Sequence, residues 1–238
     1  MGEERIGRAT INIMKKVLVL VEGQTEEAFV KRVLHEHLLK YNVSLIPTIV
    51  STKRVKSGPD FKGGIVSYKR VRGDILRLLH DSSAVLVTTM FDLYGLPNDF
   101  PGRSEARGAP QKKVRYIEEA FRKDIDNSRF LGYLSLHEFE GLLFSSPHII
   151  AITLNAQDRE IEINRIRESF SSPEEINDNP ETAPSKRLLD IFPRYNKVFY
   201  GSTIAHRIGI KTIRSKCQHF HEWMTALENL GQKNQVLN

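Results

Sequence analysis

The apolar residues fall into two alternating periods along the first half of the chain. Residues 15–21 read Lys-Lys-Val-Leu-Val-Leu-Val. Such a short unbroken apolar run predicts one strand buried on both faces. The period then changes. Phe29, Val30, Val33, Leu34 and Leu38 recur at helical spacing and predict a helix over about 25–39. Thr25 is its expected N-cap, with Glu26 and Glu27 in the first turn, where the helix dipole favours acids. A second strand is expected near 45–50, a helix near 67–80, and a third strand over 84–91 ending in Asp92. Pro110 suits the first turn of a third helix, whose buried stripe is Val114, Ile117, Phe121 and Ile125. A fourth strand is expected near 129–136. Strands alternating with helices predict a parallel sheet of about four strands with helices on both faces.

From Pro147 onward the pattern turns helical, interrupted by prolines. Helices are expected over about 159–170, 184–191, 202–208 and 212–230. The last carries Ile213, Cys217, Phe220, Met224 and Leu227 at helical spacing, with Gly231 as its stop signal. The expected organisation is a tail over 1–14, an α/β domain over 15–146, and a helical extension over 147–238 packed on it. The loop 93–109 is rich in Gly and Pro and too long for a mere connection, which marks it as functional.

Composition narrows the class. No segment approaches 18 consecutive apolar residues, so no membrane span is expected. The lone Cys217 excludes an internal disulfide and a multi-cysteine zinc site. A cytoplasmic protein of bacterial type is the simplest expectation. Net charge is +6, and residues 51–80 alone account for it. There Lys53, Arg54, Lys56, Lys62, Lys69, Arg70, Arg72 and Arg77 face only Asp60 and Asp74. A concentrated basic block points to a polyanionic partner, most plausibly nucleic acid; the alternative is a solvated loop and helix face. Arg103, Arg107, Lys112, Lys113 and Arg115 are further candidates for neutralising phosphate, as are Lys186, Arg187, Lys197, His206 and Arg207.

Acids close three of the predicted strands: Glu22 after the first, Asp92 after the third, and Glu138 with Glu140 after the fourth. In a parallel sheet these ends open on one edge, where α/β folds bind ligands. Carboxylates converging there without cysteine or a histidine set suit a hard cation, Mg²⁺ or Mn²⁺. Such a site can clamp a phosphodiester and activate water. The blander alternatives are a salt-bridged strand end for Glu22, a turn cap for Asp92, and a structural role for one of Glu138 and Glu140. His137 precedes the pair, but His-Glu-Phe-Glu lacks the second histidine of a zinc-protease motif.

Val21-Glu22-Gly23-Gln24-Thr25-Glu26 followed by Phe91-Asp92 resembles the Toprim domain of topoisomerases, bacterial primases and OLD-type nucleases. The stretches Phe91 to Pro97, Leu136 to Phe144, and Ile208 through Cys217-Gln218-His219-Phe220 to Trp223 resemble, more closely, a Toprim-like family encoded beside ATPases in bacterial defence loci. This resemblance spans nearly all of 15–230. It implies a Toprim-like sheet, with Glu22 as metal ligand or proton carrier and Asp92 as metal ligand. Tyr94 stands where the second acid of the Toprim Asp-x-Asp pair belongs, so Glu138 or Glu140 would supply the missing ligand. The implied function is a metal-dependent nuclease acting on DNA or structured RNA, with Glu22, Asp92, Glu138 and Glu140 catalytic. Its nucleic acid would be held by Lys53, Arg54, Lys56, Lys62, Lys69, Arg70, Arg72 and Lys112. No Gly-x4-Gly-Lys-Ser/Thr pattern occurs, so ATP use falls to a partner ATPase. A homodimer through the helical extension is a further expectation. The competing reading is a catalytically silent adaptor that binds an ATPase or nucleic acid.

Overall fold

A computed structural model describes residues 13–51, 65, 67–176 and 181–232. Its centre is a parallel sheet in the order β2-β1-β3-β4, with β5 continuing beside β3. The strands are β1 (Lys15–Val21), β2 (Val43–Ile49), β3 (Ala84–Asp92), β4 (Phe130–Leu131) and β5 (Leu134–Ser135). Central strands β1 and β3 are apolar on both faces, as burial on both sides requires. Pro47 lies in edge strand β2, where a missing N–H is tolerated.

β1 divides the core by alternation. Val17, Val19 and Val21 join one apolar cluster with Phe29, Val33, Phe144, Ile213 and Trp223. Leu18 and Leu20 join another with Val71, Ile75, Val114 and Phe121. The first face is covered by α1 (Gln24–Phe29), which runs through a π-helical turn, Val30–Leu34, into α2 (His35–Leu39). The second face is covered by α3 (Tyr68–Leu79) and α4 (Pro110–Ile125). Beyond them follow α5 (Pro147–Thr153), α6 (Glu160–Glu168), α7 (Pro184–Ile191), α8 (Ser202–Ile208), α9 (Ile210–Lys216) and α10 (Gln218–Gln232). Residues of α5, α6, α7, α8, α9 and α10 share the first cluster with β1, so this region and the sheet bury a common core.

Several expectations shift. The first helix opens at Gln24 with Gly23 as N-cap, not at Thr25. Glu26 turns its carboxylate back to accept from the Gly23 N–H at 2.9 Å, so the N-cap's own donor is satisfied although glycine has no capping side chain. The fourth strand is split, because Gly132 and Tyr133 leave the ladder. Thr89 bridges the gap: its hydroxyl donates to the Tyr133 carbonyl at 2.9 Å and accepts from the Tyr133 N–H at 3.0 Å. The expected helix over 212–230 is two helices broken at an extended Cys217. Glu174, from a distant turn, accepts from the N–H groups of His219 at 3.0 Å and Phe220 at 2.9 Å, and so starts α10 afresh. Gly231 does not stop that helix. It lies inside α10, where a Cβ would collide with the Tyr41 carbonyl. Among the described residues no helix is long and apolar enough to cross a membrane.

Candidate functional site

Parallel pairing places the carboxyl ends of β1 and β3 side by side, with Val21 opposite Met90. Glu22 and Asp92 therefore meet: a Glu22 oxygen accepts from the Asp92 N–H at 3.4 Å. The chain after Asp92 closes a tight turn, Leu93–Gly95, over Glu22. The turn backbone at Gly95 packs on the Glu22 carboxylate, which a Cβ there would meet at 3.4 Å, an ordinary contact. The turn carries Tyr94 outward across the edge, where its hydroxyl donates to Glu138 at 2.8 Å. The tyrosine that replaces the expected acid thus binds an acid instead of acting as one.

The expected pair after the fourth strand divides into two roles. Both oxygens of Glu138 already accept hydrogen bonds. It takes Tyr94, the Ser185 hydroxyl at 3.0 Å and the Ser185 N–H at 2.8 Å, and so tethers the first turn of α7. Glu140 is 2 % exposed, and one of its oxygens is sealed from solvent without a hydrogen-bond donor. Oδ1 of Asp92 is in the same state. Lys197 reaches both members of the pair, 3.7 Å from Glu138 and 3.6 Å from Glu140. Among the described residues it is the one cation at ion-pair distance from these acids.

Glu26 completes a set of five carboxylates, Glu22, Glu26, Asp92, Glu138 and Glu140. Burial pushes the Glu22 carboxyl up to about 7, and Glu26 pushes it further while the Asp92 N–H opposes. Glu140 is likewise raised to about 7 by burial, against the pull of Lys197. Asp92 is driven well above the carboxylate range by burial, then by Glu26, Glu22, Glu140 and Glu138. Burial raises Glu26 as well. At Lys197 burial favours the neutral amine, but Glu140 and Glu138 outweigh it and hold the ammonium charged. One ammonium cannot balance five clustered carboxylates, three of them on buried residues, so the site must take up protons or a further cation.

The donor set suits a hard cation in kind, being all oxygen with two sealed acceptors lacking donors. Its present spacing does not close a coordination sphere. Among the described residues no three His, Cys, Asp or Glu side chains converge on one metal position. Lys197 stands against Glu138 and Glu140, where its charge would compete with a cation.

Of the expected nucleic-acid contacts, Lys53, Arg54, Lys56 and Lys62 lie outside the described residues. Lys69 is exposed at the start of α3, with Arg70 beside it half-buried. Arg72 is engaged with Asp124 at 2.9 Å. Lys112 is exposed in the first turn of α4. Arg115 is held by Glu222 at 2.8 Å. Glu26 is the site acid that pattern reading does not pick out, since it reads only as a first-turn acid; Lys197, one of the cations expected to neutralise phosphate, is at the site. Glu26 carried one usable signal: it follows Glu22 by four residues across a strand-to-helix turn.

The protein-family model described as "Domain of unknown function (DUF4276)" matches residues 21–228. None of the curated proteins compared matches the chain. Two solved structures of the C-terminal region of the Xanthomonas campestris pv. campestris OLD protein are similar. The one phased with iodine is 13% identical with a TM-score of 0.35, covering 88% of this chain and 96% of that one. The one phased with mercury is 14% identical with a TM-score of 0.31 and the same coverage, 88% and 96%.

Proposed function

The chain belongs to the DUF4276 family, whose description names no activity, and from the site itself we propose a Toprim-type nuclease that hydrolyses phosphodiesters of DNA or structured RNA with Mg²⁺ or Mn²⁺. The observation that carries this reading is the set of five carboxylates at the carboxyl edge of the sheet, faced by a single ammonium that cannot neutralise them. The likeness of Val21 to Glu26 and of Phe91-Asp92 to Toprim motifs supports it.

Asp92 and Glu140, with sealed oxygens free of donors, would hold the cation together with Glu22. When bound, the cation would polarise the scissile phosphate and lower the pKa of an attacking water. Glu138 would serve less as a ligand than as an anchor, since Tyr94 and Ser185 occupy its oxygens. Without a cation Glu22 binds its proton near pH 7, so cation uptake at Glu22 would release that proton. Lys197 would exchange its carboxylate partners for a phosphate oxygen as substrate enters. Exposed Lys69 and Lys112, with half-buried Arg70, would contact the backbone without reading sequence. A partner ATPase would restrain the activity in a bacterial defence setting, because a free nuclease harms its own cell.

The test is cleavage of plasmid DNA and structured RNA by the chain with its ATPase partner in Mg²⁺ or Mn²⁺. Glu22→Gln and Asp92→Asn should abolish cutting; wild-type cutting by both variants would sink the assignment. A catalytically silent adaptor is the second reading. Lys197 against Glu138 and Glu140, with no three acids converging among the described residues, favours it. It predicts binding of nucleic acid or ATPase, no cleavage, and no Mn²⁺ uptake by calorimetry.

A further inference from the structure

At the far end of the sheet from the acids lies a second polar feature. The helix that Glu26 opens runs back to His37, about 15 Å along its axis at the usual helical rise. There the end of α2, the face of α9 and the start of α10 enclose a groove of about 630 Å³. Its lining includes His37, Tyr41, Lys211, Arg214, Gln218 and His221. No acid lines it.

Arg214 is built into this groove. Its guanidinium donates to Glu228 through Nη1, to Thr225 through Nη2 at 2.9 Å, and to Nδ1 of His221 through Nε at 3.2 Å. Three of its five N–H groups are engaged, so one on each of Nη1 and Nη2 remains to donate. Because Nδ1 of His221 accepts from Arg214, the neutral ring carries its proton on Nε2, a further donor. Glu228 is buried behind the groove and shares one oxygen between Arg214 and His37, the latter at 2.6 Å. That single carboxylate is spent on Arg214 and His37. Lys211, exposed one turn before Arg214, forms no ion pair among the described residues. The groove is therefore positive, and its guanidinium is already oriented for an oxyanion. Tyr41 and His37 add an aromatic wall, their ring centres 5.4 Å apart.

We propose that this groove binds a mononucleotide, with its phosphate on Lys211 and the free N–H groups of Arg214 and its base against Tyr41. The volume lies in the range that encloses a ligand of that size. A pre-oriented Arg beside an unpaired Lys selects a phosphate ester, and the aromatic wall selects a planar base. The groove has no phosphate-cradling loop for hydrolysis, so this is a binding site. It is separate from the acidic edge and stands whether or not that edge cuts.

The test is calorimetry on the full chain with AMP, inorganic phosphate and a short single-stranded oligonucleotide. AMP should bind, phosphate should bind more weakly, and the Tm should rise with AMP. Lys211→Glu, at an exposed position, should weaken AMP about tenfold or more, while Lys211→Arg should keep it. Tyr41→Leu should weaken AMP without changing phosphate. The proposal is overturned if AMP does not bind, if Lys211→Glu binds it as wild type does, if phosphate binds as tightly as AMP, or if only the oligonucleotide binds.

Discussion

Removing divalent cations and raising the pH should destabilise this protein through its acidic edge. Glu140 carries the argument, because it is 2 % exposed and its carboxyl titrates near 7 instead of at the ordinary 4.5. Between those values the folded chain holds a proton that the unfolded chain has released. The unfolded state binds fewer protons, so stability falls as pH rises through this window. At about 1.4 kcal/mol per proton and pH unit, Glu140 alone loses on the order of 3 kcal/mol. Glu22, also near 7, adds to this but shares the same field, so the two do not sum in full. A loss of that size is a large part of the roughly 5–15 kcal/mol that holds a domain folded. The assay is urea unfolding from pH 5 to 8 in EDTA, repeated with Mn²⁺. Stability should drop across the range, and Mn²⁺ at about a hundred times its Kd should restore about 2.7 kcal/mol at the upper end. His219 contributes a parallel loss at higher pH. Burial lowers its pKa, but Glu118 at 2.9 Å outweighs this and holds it raised, so its stabilisation fades as pH climbs through that raised value. Glu140→Gln separates the two, since it should flatten the slope below pH 7 and leave the His219 part. A wild-type profile that is flat or rising between pH 5 and 7, or a Glu140→Gln profile as steep as wild type, would refute the reasoning.

Three further outcomes follow from single contacts. Glu174→Ala should cost about 3 kcal/mol in urea unfolding, because two buried N–H groups of α10 lose their acceptor; Glu174→Gln, keeping one acceptor oxygen, should cost less. Gly231→Ala should lower the Tm although alanine is the better helix former by about 1 kcal/mol, since its Cβ meets the Tyr41 carbonyl; a raised Tm would contradict the packing. Tyr94→Phe should cost no more than about 1.5 kcal/mol, because Ser185 still satisfies Glu138, and a larger loss would mean that the tyrosine hydroxyl does more than anchor.

The sheet was legible in the sequence because its signal is local. The run Val17 to Val21, the stripe Val114, Ile117, Phe121 and Ile125, and the alternation of periods 2 and 3.6 each follow from which face a residue must bury. The three acid-bearing strand ends were legible for the same reason, since parallel topology sends every carboxyl end to one edge. What the acids do to one another was not. Glu138 and Glu140 are two residues apart and alike in sequence, yet one is saturated by Tyr94 and Ser185 while the other is sealed beside Lys197. Those partners come from segments some 44 to 57 residues away, and only folding places them. The break at Cys217 is of the same kind. Its apolar spacing reads as one continuous helix, and the carboxylate that starts α10 comes from Glu174. Local pattern thus determined the first three strands, the helices packed on them and the edge on which the chemistry gathers. The tertiary structure alone decided which carboxylates are left without donors, because burial and hydrogen-bond supply depend on neighbours distant in the chain.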